Sequence, residues 1–424
     1  MCKNDTLKFL FGLHRFGWKL GLQNITALLN ELGNPQKNVK CVHIAGTNGK
    51  GSTAAILERL CRESRLRTGL YTSPHLLSVT ERIQVNGQPI PDVRLLDYVA
   101  EFRARIERIS CTFYETLTAV AFKYFSDEGV DIGIIEVGLG GKYDATNVIM
   151  PELSIITEIG FDHVEHLGKS LTQIASEKAG IIKKHVPCIS QSNLPDVSAV
   201  MKRIAERNHA RFYEVHKMCQ LDKIEFQQEG SRFDLSLCGT TFFNLELNLI
   251  GTHQLENAAT AVLAMKMLAF PGHTLAEQTL RRALANVCWP GRIQHLRKNP
   301  DVIVDVAHNV SAIEVLFKEI RRIYRFQRLL VMVGLLEDKQ YKEIAKIISK
   351  NADLVFVTTP VSERGLKSTN LQKEFTHMNK VAYNYPDILE CIKCVESEAN
   401  ENDLICITGS HYIVGESLIF YKKS

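Results

Sequence analysis

The apolar positions fall into two alternating patterns. Val42-His43-Ile44-Ala45, Gly69-Leu70-Tyr71-Thr72, the stretch 131–137, Leu153-Ser154-Ile155-Ile156-Thr157 and Pro187-Cys188-Ile189-Ser190 are apolar almost without interruption. Runs of this length suit strands buried on both faces. Between them, residues 22–32, 52–62, 113–125 and 170–182 repeat apolar residues every three or four positions, the spacing of helices packed on one face. Strand followed by helix, repeatedly, predicts a parallel α/β sheet. Residues 211–250 change style. The segments 211–215, 223–226, 232–237 and 241–249 alternate between tight turns and predict a small antiparallel addition, with a helix at 255–268 behind it. At Trp289-Pro290-Gly291-Arg292 the α/β alternation restarts. Strands at 302–304, 329–333, 354–357 and 404–407 then interleave with helices near 311–324, 340–350 and 386–399. We therefore expect a large parallel-sheet domain over 1–290 and a smaller doubly wound domain over 291–424.

Composition narrows the class of protein. The chain has 424 residues, 45% hydrophobic and 23% charged, which is ordinary for a globular protein of about two to three domains. Its 51 basic and 47 acidic residues leave +4, no electrostatic footprint for nucleic acid. No run of about 18 apolar residues predicts a membrane span. The N-terminal stretch lacks the apolar core of a secretion signal, so the expected location is cytoplasmic. Eleven scattered cysteines fit small buried side chains in a reducing compartment. Cys391 and Cys394 form a CxxC without a second pair at zinc spacing and are expected to pack on an amphipathic helix.

Chemistry concentrates at the predicted strand ends. Gly46-Thr47-Asn48-Gly49-Lys50-Gly51-Ser52 lies between a strand and a helix. There, glycines let consecutive amides turn toward an anion and the helix N-terminus adds positive charge. Lys50 is placed to bridge β- and γ-phosphates, although Gly51 between Lys50 and Ser52 departs from the usual spacing. Glu136 ends a buried strand beside this loop, where a Mg²⁺ ligand belongs. Ser73 follows another strand end and offers a hydroxyl. His163, in Phe161-Asp162-His163, follows a third and can take a second metal. Lys178, read alone, is an ordinary lysine on a helix.

Taken in order, the motifs resemble the folylpolyglutamate synthase/dihydrofolate synthase family of the Mur ligase superfamily. They are residues 46–52, Thr72-Ser73-Pro74-His75-Leu76 with Glu81-Arg82-Ile83, then 136–141, 144–148, Asp162-His163 and 177–181. His253-Gln254, 257–261, Pro290-Gly291-Arg292 and 305–309 follow. The likeness runs from about residue 9 to Gly415. It implies a P-loop ATP-binding domain and a Rossmann-like C-terminal domain. It also implies an ATP-dependent amide ligase that converts a pterin carboxylate to an acyl phosphate for attack by L-glutamate. Dihydropteroate and reduced folates are the implied substrates, ATP and two Mg²⁺ ions the cofactors, and a monomer the implied state.

The resemblance also assigns roles. The loop 46–52 takes the phosphates, with Lys50 catalytic. Ser73 and Glu136 hold the first Mg²⁺; Glu136, His163 and a carbamylated Lys178 serve the second. Asn257, Arg292, Asp305, Val306, Ala307 and His308 complete the nucleotide site. Thr112, Phe113, Tyr114, Glu115, Tyr143, Asp144 and Ala145 contact the pterin. Ser410 lines the glutamate pocket with His308.

Two places depart from the family pattern. Gly141-Lys142-Tyr143-Asp144 stands where the family has Gly-Arg-Leu-Asp, and Val310 stands where Pro usually follows His-Asn. Lysine lacks the planar fork of arginine, so Lys142 and Tyr143 are expected to affect which pterin is accepted. Two other readings share parts of the pattern: a Mur ligase acting on a cell-wall precursor, and an ATP-binding switch without ligase activity.

Overall fold

The structure, a computed structural model, describes residues 3–13, 21–268 and 275–423. Its first sheet has eight strands: β1 Cys41–Ala45, β2 Thr68–Tyr71, β3 Ile83–Val85, β4 Gln88–Pro89, β5 Ile132–Glu136, β6 Leu153–Ile156, β7 Cys188–Ser190 and β8 Phe212–Glu214. They lie in the order β4-β3-β2-β5-β1-β6-β7-β8. From β2 to β8 every neighbouring pair is parallel, and β3 and β4 fold back antiparallel at one edge. β1, in the middle of the sheet, is buried along its whole length. Val42 and Ile44 pack toward helix Lys50–Glu63, and Cys41 joins the cluster on the other face. That two-sided burial is why the strand reads as a continuous apolar run.

A three-stranded antiparallel sheet follows: β9 Cys219–Gln227, β10 Gly230–Leu237 and β11 Thr240–Leu247. Here the sequence expectation needs a correction. The segment near 211–215 is not part of the antiparallel addition, because Phe212–Glu214 pairs parallel with β7 and closes the main sheet. A three-residue edge strand leaves too little alternation to show which sheet it joins.

The second sheet takes β12 Gln294–Arg297, β13 Asp301–Asp305, β14 Leu329–Val333, β15 Leu354–Val357, β16 Ala382–Asn384 and β17 Leu404–Thr408. Their order is β12-β13-β17-β14-β15-β16, parallel except for β12. Helices Val310–Ile323, Tyr341–Asn351 and Ile388–Glu398 fall near their expected places. Cys391 is buried in the apolar cluster beneath this sheet and Cys394 is half-buried. No helix among the described residues is long and apolar enough to cross a membrane.

The carboxyl ends of both sheets meet across one cleft. Residues from the ends of β1, β5, β6 and β7 line it from one side, and residues after β13 and β17 from the other. Ligands of parallel sheets collect at such ends. Asn48 ties the halves together. Its amide donates to Ser311 Oγ (3.1 Å), and its Oδ1 accepts from Asn309 Nδ2 (3.0 Å).

Candidate active site

β1 runs into the loop 46–52, and helix Lys50–Glu63 starts inside it, with Gly49 left-handed at φ 84°. A side chain at Gly49 would be strained, and its Cβ would lie 2.5 Å from Asn257 Oδ1. Thr47 pins the loop to the end of β6: its amide donates to the Glu158 carbonyl (2.7 Å) and its hydroxyl to the Gly160 carbonyl (3.0 Å). Lys50 curls back so that Nζ donates to the Thr47 carbonyl (3.0 Å). Gly51 lies under the Trp289 ring, where a Cβ would meet it at 2.8 Å.

Glu136 and Ser73 meet at the ends of β5 and β2. The Ser73 amide donates to Glu136 Oε2 (2.9 Å). Burial raises the Glu136 pKa, against the nearby charges of Lys50, Arg292 and Arg82. This is a buried carboxylate opening onto the phosphate loop, with a serine hydroxyl beside it. Both are hard oxygen donors, so the pair fits a divalent cation.

Lys178 ends helix Leu171–Lys178 and is 4% exposed. Its Nζ donates to the Gly46 carbonyl (2.7 Å). Burial, and then the charge of Lys50, lower its pKa to about 7. Gly141 is packed so tightly against this helix end that a Cβ would lie 2.7 Å from the Lys178 carbonyl oxygen.

His163 is placed differently from the expectation. Its Nε2 faces Lys339 Nζ at 3.3 Å, and the same ammonium donates to Asp162 Oδ1 at 2.8 Å. In this arrangement a lysine of the second domain, not an open position, meets the expected metal-binding nitrogen. Among the described residues, no three His, Cys, Asp or Glu side chains converge as a metal cluster. The site as arranged fits one ion at Ser73 and Glu136; a second at His163 requires Lys339 to withdraw.

The second domain brings Arg292, Asp305, Val306, Ala307 and His308 to the same cleft, with Asn257 from the first. Asp305 shapes the backbone around it, accepting from the amides of Ile293 (2.9 Å) and Ala307 (2.8 Å). His308 Nδ1 donates to the Val306 carbonyl (2.8 Å), which turns Nε2 toward Asp162 Oδ2, 3.7 Å away. Burial opposes charge on Asp162, but His308 and Lys339 outweigh it and hold its pKa below the carboxylate range.

A second cavity adjoins this cleft and holds Tyr114, Asp144 and Ser410. The other expected pterin contacts lie elsewhere. Thr112 and Glu115 close a capping box on helix Phe113–Asp127. Phe113 stacks on Phe11 (5.9 Å), and Ala145 is buried in an apolar cluster. Tyr143 is 42% exposed, with Lys142 Nζ over its ring at 4.9 Å. Neither Lys142 nor Tyr143 is among the residues that line the two cavities. The loop tip turns outward because Asp144 is drawn in by the amides of Leu139 and Thr146.

Three residues of the site carried no sequence signal strong enough to assign a role. Arg82 is half-buried, and its Nε donates to His75 Nδ1 (2.9 Å); among the described residues no carboxylate forms an ion pair with it. Lys339 lies beyond the end of β14. His411 opens helix His411–Lys423 with its ring 5.5 Å from that of His308. Position after a strand end was the available signal for the last two.

The comparisons with known proteins fit this geometry. The Mur ligase middle domain matches residues 44–265, and the Mur ligase, glutamate ligase domain matches 291–411. The chain is 34% identical to the dihydrofolate synthase/folylpolyglutamate synthase of Bacillus subtilis, covering 97% of each chain. It is 32% identical to the folylpolyglutamate synthase of Lacticaseibacillus casei, covering 96% of each. The structure of Mycobacterium tuberculosis folylpolyglutamate synthase complexed with ADP superposes with a TM-score of 0.93 at 29% identity, over 100% of this chain and 99% of that one. Such agreement over the full length favours the folate reading over the cell-wall ligase and the switch. The chain belongs to the folylpolyglutamate synthase/dihydrofolate synthase family of Mur ligases.

Proposed function

We propose that this ATP-dependent ligase adds L-glutamate both to dihydropteroate and to reduced folates. The observation that supports it is a shared wall. Ser73, Pro74, Gly138, Leu139, His163, His308 and His411 line both the phosphate-loop cleft and the cavity of Tyr114 and Asp144. A carboxylate held in the second cavity therefore reaches a phosphoryl group held in the first.

The chemistry requires position and charge more than covalent help. The amides of 46–52 and Lys50 cradle the phosphates, and Arg292 approaches from the second domain. Magnesium at Ser73 and Glu136 supplies further neutralisation when bound. The pterin carboxylate oxygen attacks the γ-phosphorus, ADP leaves, and an acyl phosphate forms. The glutamate amine then attacks the acyl carbon and phosphate leaves. Closure of two domains, with the hinge near Trp289 and the boundary at 290/291, keeps water from the acyl phosphate. Arg82, half-buried and without a carboxylate ion pair among the described residues, is a cation available for a substrate carboxylate. The neutral Lys178 amine would add to CO₂ and release one proton to solvent, and the carbamate oxygens, with Glu136 and His163, would hold a second ion once Lys339 has withdrawn from His163.

The test is ADP release with Mg²⁺ and L-glutamate, comparing dihydropteroate, tetrahydrofolate and no pterin. We expect release with each pterin and none without. Release with one pterin alone would reduce the proposal to that activity, and release independent of pterin would overturn it.

A further inference from the structure

We infer that His43 is a positioning residue for the pterin end of the cleft, holding the Asp144 carboxylate in its binding orientation through Thr146. The inference rests on the reading that Asp144 faces the pterin. His43 sits in the middle of β1, is fully buried and lines neither cavity. It can therefore act only through its neighbours.

Its neighbour is the Thr146 hydroxyl, 2.8 Å from Nε2. That hydroxyl has one proton and gives it to Asp144 Oδ1, 2.5 Å away. Its oxygen must then accept, which fixes the histidine with its proton on Nε2. Nδ1 is left as an acceptor, buried and without a partner. Burial keeps the ring neutral, and nearby Lys183 adds to this.

Asp144 is the end point of the relay. Oδ1 also accepts from the Thr146 amide (3.0 Å) and lies 3.4 Å from the Tyr114 hydroxyl. Oδ2 accepts from the Leu139 amide (2.9 Å), and the residue faces the second cavity. The backbone amides hold the carboxylate in place. The hydroxyl, locked by His43, fixes which lone pairs remain for a ligand. An unlocked threonine could rotate its proton away from Asp144 and point it elsewhere.

A merely structural histidine predicts something different. His43 is three residues before Gly46, so a damaged β1 would disturb the phosphate loop first. A positioning role disturbs the pterin and spares ATP.

The experiment measures dihydropteroate binding by calorimetry with ADP present, together with KM for ATP, in four single variants. His43→Gln keeps an amide donor near Nε2, while His43→Asn places its donor near Nδ1 and loses the bond. Thr146→Ser keeps the hydroxyl and Thr146→Val removes it. We expect His43→Asn and Thr146→Val each to weaken dihydropteroate binding about tenfold, the scale of one hydrogen bond, with KM for ATP within about twofold of wild type. His43→Gln and Thr146→Ser should bind almost as wild type, and the double variant His43→Asn/Thr146→Val should lose no more than either single one. If His43→Asn fails to fold, Thr146→Val against Thr146→Ser carries the same comparison. Equal behaviour of Gln and Asn, or parallel loss of ATP and pterin, would overturn the inference. Failure of the wild type to bind dihydropteroate would overturn the reading of the site itself.

Discussion

The Lys178 ammonium has a backbone carbonyl, that of Gly46, as its hydrogen-bond acceptor, and another cation, Lys50, nearby. Burial and that neighbour favour the neutral amine, the form that reacts with CO₂. The folded side chain releases its proton near about 7, whereas an unfolded lysine keeps its proton to about 10.4. The folded state binds fewer protons between those values, so this residue's contribution to stability rises with pH across the window and is least below it. We predict that carbamate formation and ligation both rise as pH passes from about 6 to about 8 at fixed CO₂. Carbon-13 NMR with labelled bicarbonate should show a carbamate signal that vanishes in Lys178→Ala. A pH-independent ligation rate, or an unchanged rate in Lys178→Ala, would remove the residue from the chemistry. At this scale the sequence was most legible for the residues whose place in the cleft follows from a strand end: the phosphate loop, Ser73 and Glu136. It was least legible where the partner is remote. Nothing near His163 in the chain announces Lys339, and nothing near His43 announces Thr146.

Helix Phe113–Asp127 illustrates the same division one level up. Thr112 accepts from the Glu115 amide and Glu115 accepts from the Thr112 amide, the reciprocal bonds of a capping box. We predict that Thr112→Ala lowers the unfolding free energy by about 1 kcal/mol and leaves KM for the pterin unchanged. Denaturant unfolding and steady-state kinetics check the two halves; a raised KM with unchanged stability would put Thr112 in the substrate pocket after all. The central strands β1, β5 and β6 were readable because burial on both faces leaves a continuous apolar run. The edge was not. β3 and β4 are three and two residues long, and β8 carries three half-buried residues, FYE, with no alternation to place it. Short edge strands take their sheet from tertiary pairing, which a local pattern does not encode.

At the scale of the whole molecule, Lys339 with Asp162 is, among the described residues, the most buried of the ion pairs between the two domains, with side chains 5% and 12% exposed. Removing one member of a buried pair leaves the other desolvated. Asp162 keeps His308 and Asn309 as neighbours, so Lys339→Ala is expected to cost about 2 kcal/mol of stability, the scale of one hydrogen bond to a charged group, and to widen the cleft in small-angle scattering. Unchanged scattering and stability would show that the domains are held by Asn48 and the apolar packing around Trp289 instead. The order of motifs along the chain made the two-domain arrangement legible, but not the angle at which the domains face each other, which rests on such contacts between distant residues. The account as a whole claims that phosphate passes through the pterin carboxylate in that cleft. The most direct measurement uses dihydropteroate labelled with oxygen-18 in its carboxylate, turned over with ATP, Mg²⁺ and L-glutamate. An acyl phosphate predicts inorganic phosphate carrying one labelled oxygen for each amide formed. Unlabelled phosphate alongside amide product would contradict it.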